Sequence, residues 1–200
     1  MSIEARQAPA TADVQRRLAA FNAARVRPRL DDGDWQEELL TQYDNLRLEM
    51  QFVEAARVEI APMLAEVPAD PAAFMRWFAG LRDTGPGQHD ALFPWLAKQA
   101  SREQMTWFLT QEVAGEAGFD DLVALTQVKM PVQAKLEMAR NYWDEMGRGD
   151  AKGMHGPMLE RLARHLDLAP TSETVVPEAL ALGNMMLALA MHRRYAYQSV

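Results

Sequence analysis

Apolar residues recur at three- and four-residue spacing along most of the chain, and the two-residue alternation of half-buried strands is nearly absent. Between residues 35 and 66, for example, Leu39, Leu46, Met50 and Val53 follow the helical period. The positions between such residues are filled mainly by Ala, Glu, Gln and Arg, which favour helices. The pattern therefore predicts an all-α fold.

Proline and capping residues divide this pattern into separate helices. Pro28 ends the first helix, Pro131 and Pro177 each begin a later one, and Ser101 with Gln104 is typical of a capping box. The predicted helices cover residues 12–26 and 35–66, one from 71, a short one around 93–96, 101–128, one from 131 to a turn at 147–149, 153–168, and a last one from 177.

A Gly/Pro-rich break at residues 84–88 separates two parts of the helical pattern. We expect an N-terminal tail and helical arm over residues 1–84 and the main helical core over residues 85–200. A length of 200 residues suits one domain with such an arm. The most apolar run, Ala179–Met191, is shorter than the ~20 residues that a membrane-spanning helix needs, and it is typical of a buried core helix.

Composition narrows the chemistry that such a fold could carry. The chain contains no cysteine, which excludes disulfides, thiolate metal sites and cysteine nucleophiles. A bound metal would need His, Asp and Glu ligands, a set that suits iron, manganese or zinc. The net charge of −7 disfavours nucleic acids and anionic membranes as partners. Since the N-terminus has no apolar signal core, we expect a cytoplasmic protein.

Two carboxylates stand on the apolar face of the helix predicted from residue 101. Glu112 and Glu116 continue the stripe that Phe108 and Phe119 define. Because two ionised carboxylates at this spacing repel each other in a low dielectric, a cation, a bound proton or a buried arginine would have to accompany them. The alternative is that this stretch is partly solvated or paired with arginine side chains.

Further polar candidates lie on the later helices. Glu145 flanks the apolar arc of its helix and is the carboxylate there that is best placed to face inward. His155 falls on the buried stripe of the next helix, where a histidine is either a satisfied core residue or a metal ligand, and His165 falls off that stripe. In the last helix, Asn184 and His192 are interpreted as core polar groups with partners.

The segment from residue 141 to residue 166 resembles the iron-containing redox enzyme family with the haem-oxygenase-like fold. It contains Asn-Tyr-Trp-Asp-Glu-Met-Gly-Arg-Gly and then Met-His-Gly-Pro-Met-Leu-Glu-Arg-Leu. In that family a Glu-x-Gly turn ends one core helix, and a His begins the next helix before a leucine-rich run. Matched residue by residue, the family's metal ligands fall on Glu145 and His155. The resemblance extends over about residues 88–200.

This resemblance implies a haem-oxygenase-like multi-helix bundle that binds Fe(II) in a mono- or dinuclear site, with manganese as an alternative metal. Glu145 and His155 would be ligands, and Glu112 and Glu116 would be further ligands or would orient the ligands. A later glutamate and a His-x-x-x-Asp-x-x-His set of the family have no counterpart, so the core is C-terminally incomplete relative to the family. A fragment, a short relative and a site completed by a partner chain are the three explanations.

Two functions are consistent with these features. The first is a non-haem iron-dependent oxidase or oxygenase that acts with O₂ on a small organic substrate. The second is a metal-free helical binding or interaction module, or a fragment, that keeps the fold and needs a partner chain or a second copy in a homodimer. Haem binding is a third, weaker interpretation, because its only candidate proximal ligand, His89, lies in the Gly/Pro-rich break, which is typical of a surface loop.

Overall fold

A computed structural model describes residues 11–28, 30, 33–116 and 119–199. Within these residues the protein consists of α-helices joined by turns, without strands, which confirms the predicted all-α fold and agrees with a haem-oxygenase-like bundle. In chain order, the helices are α1 (Ala12–Arg25), α2 (Trp35–Leu64), α3 (Pro71–Thr84), α4 (Leu92–Lys98), α5 (Arg102–Glu116), α6 (Phe119–Thr126), α7 (Val132–Glu145), α8 (His155–Leu166) and α9 (Pro177–Met191).

Local sequence signals begin several helices at the expected positions. The carboxylate of Asp70 accepts a hydrogen bond of 2.7 Å from the backbone N–H of Ala73, and Pro71 occupies the first turn of α3. The predicted capping box before α5 is present. The N–H of Gln104 donates to the hydroxyl of Ser101 at 3.2 Å, and the N–H of Ser101 donates to the side-chain oxygen of Gln104 at 2.8 Å. Such caps satisfy donors that helix ends leave unpaired.

Helix α9 is the central helix of the bundle and packs against α1, α2, α5 and α6. Its sequence is apolar almost all round, as a helix enclosed by others requires. Val53 of α2, Ala188 of α9 and Tyr195 just after α9 form a buried apolar cluster. Helices α5 and α9 approach closely at two glycines, since a Cβ on Gly183 would lie 3.3 Å from the carbonyl oxygen of Gly115.

The two helices that carry the predicted ligands reach the centre of the bundle mainly through α5 and α6. Helix α7 packs on α6, and α8 packs on both α5 and α6. A short 3₁₀ turn, Gly147–Gly149, follows α7, and residues 150–154 lead into α8. The connection is short, so the end of α7 and the beginning of α8 lie side by side.

One predicted helix boundary is wrong in detail, and another prediction extends over residues outside the described part. The helix predicted over residues 101–128 corresponds to α5 and α6, and residues 117 and 118 between them lie outside the described residues. The helix predicted from residue 153 begins at His155, because Gly153 belongs to the preceding turn.

The bundle draws helices from both sides of the Gly/Pro-rich break. Helix α1 packs against α9, and α2 packs against α1 and α9 around residues 45–53. The division of the chain at residue 84 stays a prediction. No described helix combines the length and the apolar character that crossing a lipid bilayer requires.

Candidate metal centre

Glu145 and His155, the two predicted ligands, lie next to each other in the structure. Glu145 is the last residue of α7 and His155 is the first residue of α8. Oε2 of Glu145 is 3.0 Å from Nδ1 of His155, and the side chains keep 21% and 33% of their exposure. The pair is therefore partly accessible and bound together by a hydrogen bond or an ion pair.

The turn between α7 and α8 holds this pair together through tight backbone packing. Met146 and Met154 form an isolated antiparallel bridge, each directly beside one of the two candidate ligands. Gly147 makes the bridge possible, because its φ is +61° and a Cβ there would lie 2.6 Å from the carbonyl carbon of Gly153. Only glycine has both the backbone freedom and the small volume that this position requires.

An open cleft of about 780 Å³ adjoins the pair. Its wall includes three apolar side chains of α8, namely Met158, Leu159 and Leu162, together with the polar side chains of Arg161 and His165. His165 is exposed, as predicted, and its Nδ1 lies 2.8 Å from the carbonyl oxygen of Arg161. The cleft could accept a small molecule that has both an apolar part and a polar group.

Glu112 and Glu116, the other two candidate ligands, lie on α5. Glu112 is exposed on α5 and does not line the cleft, so the inward orientation predicted from helical spacing is wrong. Glu116 ends α5, and its side chain lies outside the described residues. The role of both residues as ligands stays a prediction. His89, the haem alternative, lies in an exposed turn with a φ of +59°.

The donor atoms of Glu145 and His155 suit iron in type. Imidazole nitrogen and carboxylate oxygen are common ligands of non-haem Fe(II). Their 3.0 Å separation is that of a hydrogen bond or an ion pair between the two side chains. The donors fall short in number, because the described residues contain no group of three or more His, Cys, Asp or Glu side chains that could hold a metal ion.

A second Glu–His pair, which sequence reasoning found only in part, lies in the interior between α1, α2 and the end of α9. His192 donates from Nε2 to Oε2 of Glu49 at 2.6 Å, and Arg25 donates to both oxygens of Glu49 at 2.5 and 3.1 Å. The Glu49 side chain has no solvent exposure, and that of Arg25 has 8%. His192 was interpreted as a core polar group with a partner, which the structure confirms. A signal for Glu49 was available, since it interrupts the apolar series Leu46, Met50 and Val53.

A chain of buried amides continues this polar interior between α1 and α9. Asn22 donates to Asn184 at 2.9 Å, and Asn184 donates to the backbone and side-chain oxygens of Gln15 at 2.9 Å. Asn184 therefore has the partners predicted for it. Because these groups are enclosed, the hydrogen bonds fix the relative position of α1 and α9 more specifically than apolar packing would.

One turn beyond Glu49, Glu54 binds the segment that follows α9. The hydroxyl of Tyr195 donates to Glu54 at 2.7 Å, and Nε of Arg194 donates to the same oxygen at 3.2 Å. The bond from Tyr195, with those from Arg194 and Arg57, lowers the pKa of Glu54 against the opposing effect of desolvation. Burial, and then the charge of Glu54, raises the pKa of Tyr195.

Comparison with known proteins identifies a family for about the C-terminal half of the chain. A protein-family model described as an iron-containing redox enzyme matches residues 106–200. The match covers most of α5 and all of α6 to α9, and it includes both Glu145 and His155. It confirms the resemblance that residues 141–166 carry. No curated protein and no solved structure matches the chain.

Proposed function

Because residues 106–200 match a family model described as an iron-containing redox enzyme, we propose that the protein is a non-haem iron-dependent oxidase or oxygenase. It would act with O₂ on a small organic substrate. The observation that carries this proposal is the 3.0 Å separation of Glu145 and His155 at the open cleft between α7 and α8. The family match supports an iron-dependent redox function, and the pair supports the place of the metal.

Glu145 and His155 would hold the iron from the ends of two helices that the Gly147–Gly153 contact keeps in place. Bound Fe(II) would supply the electron transfer to O₂ that protein side chains cannot perform. Since two side chains leave most positions of the metal open, water, substrate, or a side chain of a second chain would provide the remaining ligands. The affinity of one isolated chain for Fe(II) is then expected to be low.

The cleft residues would bind and orient the substrate. Met158, Leu159 and Leu162 offer an apolar surface that excludes water from one side of the cleft. Arg161, whose guanidinium donates to the carbonyl oxygen of Lys152 at 2.5 Å, adds a fixed positive charge to the same wall. These features favour a substrate with an apolar body and an anionic or polar group.

An anaerobic titration with Fe(II), followed by desalting and metal analysis, tests the proposal. Glu145→Ala and His155→Ala should each lower the affinity for Fe(II) by more than tenfold, because each removes a ligand atom. The fold should remain, since both side chains are partly exposed and far from the interior formed around α9. Circular dichroism and unfolding by urea would check this.

Matched controls come from the same residue types at exposed positions. Glu137→Ala on α7 removes a carboxylate that pairs with Arg140 at the surface, and His89→Asn keeps a residue that tolerates a positive φ. Both variants should bind Fe(II) like the parent chain. A parent that shows no saturable binding in the anaerobic titration at any protein concentration would rule out the iron site, and equal losses in all four variants would rule out these two ligands.

The second candidate function is a metal-free helical interaction module. A specific observation favours it: Glu145 and His155 contact each other at 3.0 Å, so each side chain has a polar partner without a metal. The two candidates differ in one simple measurement. Iron that stays bound after desalting supports the oxidase, and a stable, iron-free chain with an unchanged fold supports the module.

A further inference from the structure

Residues 57–100 form an outer segment that the rest of the described chain does not cover. This segment comprises the C-terminal end of α2, all of α3 and α4, and their connections. All of these residues are described, and none of them is buried. Neither α3 nor α4 packs extensively on another helix of the described residues.

A segment of this kind needs another surface to stay ordered. Helices shorter than about 12–15 residues are marginal in water when they stand alone, and α3 and α4 have 14 and 7 residues. Fixing the backbone costs roughly 1–2 kcal/mol per residue, and burial of apolar side chains normally compensates for it. The outer segment obtains little of that compensation within its own chain.

The outer segment presents an apolar face, made of Ile60 and Leu64 on α2 and of Phe74 and Phe78 on α3. The exposures of these four side chains are 48%, 59%, 37% and 57%. The rings of Phe74 and Phe78 stack with their centroids 6.0 Å apart. Exposed aromatic side chains of this density are enriched at the centres of protein interfaces.

The exposed area of the whole chain is too large for a compact monomer. It is 14594 Å², whereas a folded monomer of 22.5 kDa exposes about 9,500 Å². Even if the roughly 16 residues outside the described part were fully extended, they would account for at most about 2,600 Å². About 2,500 Å² of excess remains, well above the roughly 800 Å² per partner of a standard interface.

The charge of the outer segment favours a second copy of the same chain. The chain carries a net charge of −7, which opposes self-association over most of its surface. Residues 57–100 contain four arginines and lysines against five aspartates and glutamates, and so are nearly neutral. Two such faces meet without strong repulsion, and closed dimers of identical chains are the commonest soluble oligomers.

We propose that the apolar face of the outer segment, Ile60, Leu64, Phe74 and Phe78, is the interface at which a second copy of this chain docks. The dimer covers α3 and orders the outer segment of both copies. This interface does not depend on the proposed iron chemistry, because its residues lie outside the matched region and outside the cleft.

Light scattering coupled to gel filtration tests the interface with the full chain. The parent should elute at twice the chain mass of 22.5 kDa. The double variant Phe74→Ala with Phe78→Ala should weaken dimerisation more than tenfold and elute as a monomer at low micromolar concentration. Alanine favours helix, so α3 itself is not penalised. The control is Val132→Ala on α7, which is 77% exposed and should leave the dimer intact.

Spin labelling gives an answer even if the double variant does not fold. The chain has no cysteine, so Met75→Cys carries one nitroxide per chain, on α3 beside the apolar face. A dimer through this face gives a defined distance between the two labels under about 50 Å, and dilution with unlabelled chain removes the signal. A monomeric parent would overturn the proposal, and so would a dimer that only Val132→Ala disrupts, or a monomer that sediments with lipid vesicles.

Discussion

The described residues contain two Glu–His pairs, and these pairs differ in burial and in the charged groups around them. Glu49 and His192 lie 2.6 Å apart in the interior, with Arg25 completing the charge balance. Glu145 and His155 lie 3.0 Å apart at an open cleft whose wall also includes Arg161. The first carboxylate has no exposure and the second has 21%.

This difference determines which pair can replace its Glu–His contact with a contact to a metal ion. A carboxylate held by an arginine and a histidine cannot be offered to a metal without leaving the nearly buried guanidinium of Arg25 and the imidazole of His192 without their acceptor. A pair at the surface of a cleft can exchange its mutual contact for a metal ion, because water and ligands reach it. The same two residue types therefore stabilise the fold in one place and form a candidate metal centre in the other.

The largest expected effect is the difference in the free energy of unfolding between an alanine variant of the buried pair and one of the exposed pair. Glu49→Ala should lower the free energy of unfolding by about 3–5 kcal/mol, because it leaves Arg25 and the His192 side chain without their acceptor. Glu145→Ala should lower it by less than about 1 kcal/mol, as expected for a partly exposed pair. Urea unfolding followed by circular dichroism measures both values.

Glu49→Gln keeps the shape of the side chain and serves as the second variant if Glu49→Ala does not fold. It should fold, with a smaller loss of stability. Similar losses for Glu49→Ala and Glu145→Ala would show that burial does not distinguish the two pairs.

A smaller effect should come from the turn that brings Glu145 and His155 together. Gly147→Ala forces an alanine into a φ of +61° and places its Cβ 2.6 Å from Gly153. We expect a loss of roughly 2–3 kcal/mol in the free energy of unfolding, and a loss of Fe(II) binding because the two ligands separate. Gly87→Ala is the matched control, since Gly87 has a φ of +79° but no atom within 4 Å of a Cβ.

Gly87→Ala should lower the free energy of unfolding by about 1–2 kcal/mol, the cost of a positive φ for alanine, and should keep its Fe(II) affinity. Equal affinity for Fe(II) in Gly147→Ala and the parent would contradict the role of this turn in positioning the pair.

The smallest effect concerns Glu54, five residues beyond Glu49. Its hydrogen bond from Tyr195 lowers the pKa of this carboxyl below 4.5, so the folded state holds the proton less tightly than the unfolded state. The stability that the ionised Glu54 carboxylate contributes is fully present above pH 4.5, the ordinary pKa of a glutamate in the unfolded chain. That stability is lost as the pH falls through the lowered pKa of the folded state. With 42% of the side chain exposed, Glu54→Gln should cost less than about 1 kcal/mol at pH 7.

The difference between Glu54→Gln and the parent should shrink as the pH falls from 7 toward 3, because Glu54 takes up a proton as the pH passes through its lowered pKa. Unfolding by urea at pH 7 and pH 3 measures it. A cost that is the same at both values would indicate that packing, and not the charge, is what Glu54 contributes.

Sequence reasoning predicted the helices well because their signals are local. Pro71, Pro177 and the Ser101–Gln104 box begin helices through contacts within one turn, so no knowledge of the rest of the fold is needed. The pairing of Glu145 with His155 followed from the Glu-x-Gly turn and the resemblance.

Contacts between distant parts of the chain could not be predicted in the same way. Glu49 meets Arg25 and His192 only because α1, α2 and α9 pack together, and helical periodicity says nothing about which helices are neighbours. The orientation of Glu112 failed for a related reason. A position on an apolar stripe faces the interior only if another helix covers that part of the stripe, and at Glu112 none does so completely.

The pairing of α1 with α9 also sets an order for events during synthesis. Residues 12–25 are made before residues 177–191, their main packing partner. At about 5–20 residues per second, a ribosome needs roughly 10–30 s to cover the distance between them. Throughout that interval the amides of Gln15 and Asn22 lack the side chain of Asn184 and must be hydrated by water. Until residues 177–191 are made, these amides give residues 12–25 a polar surface that is compatible with water.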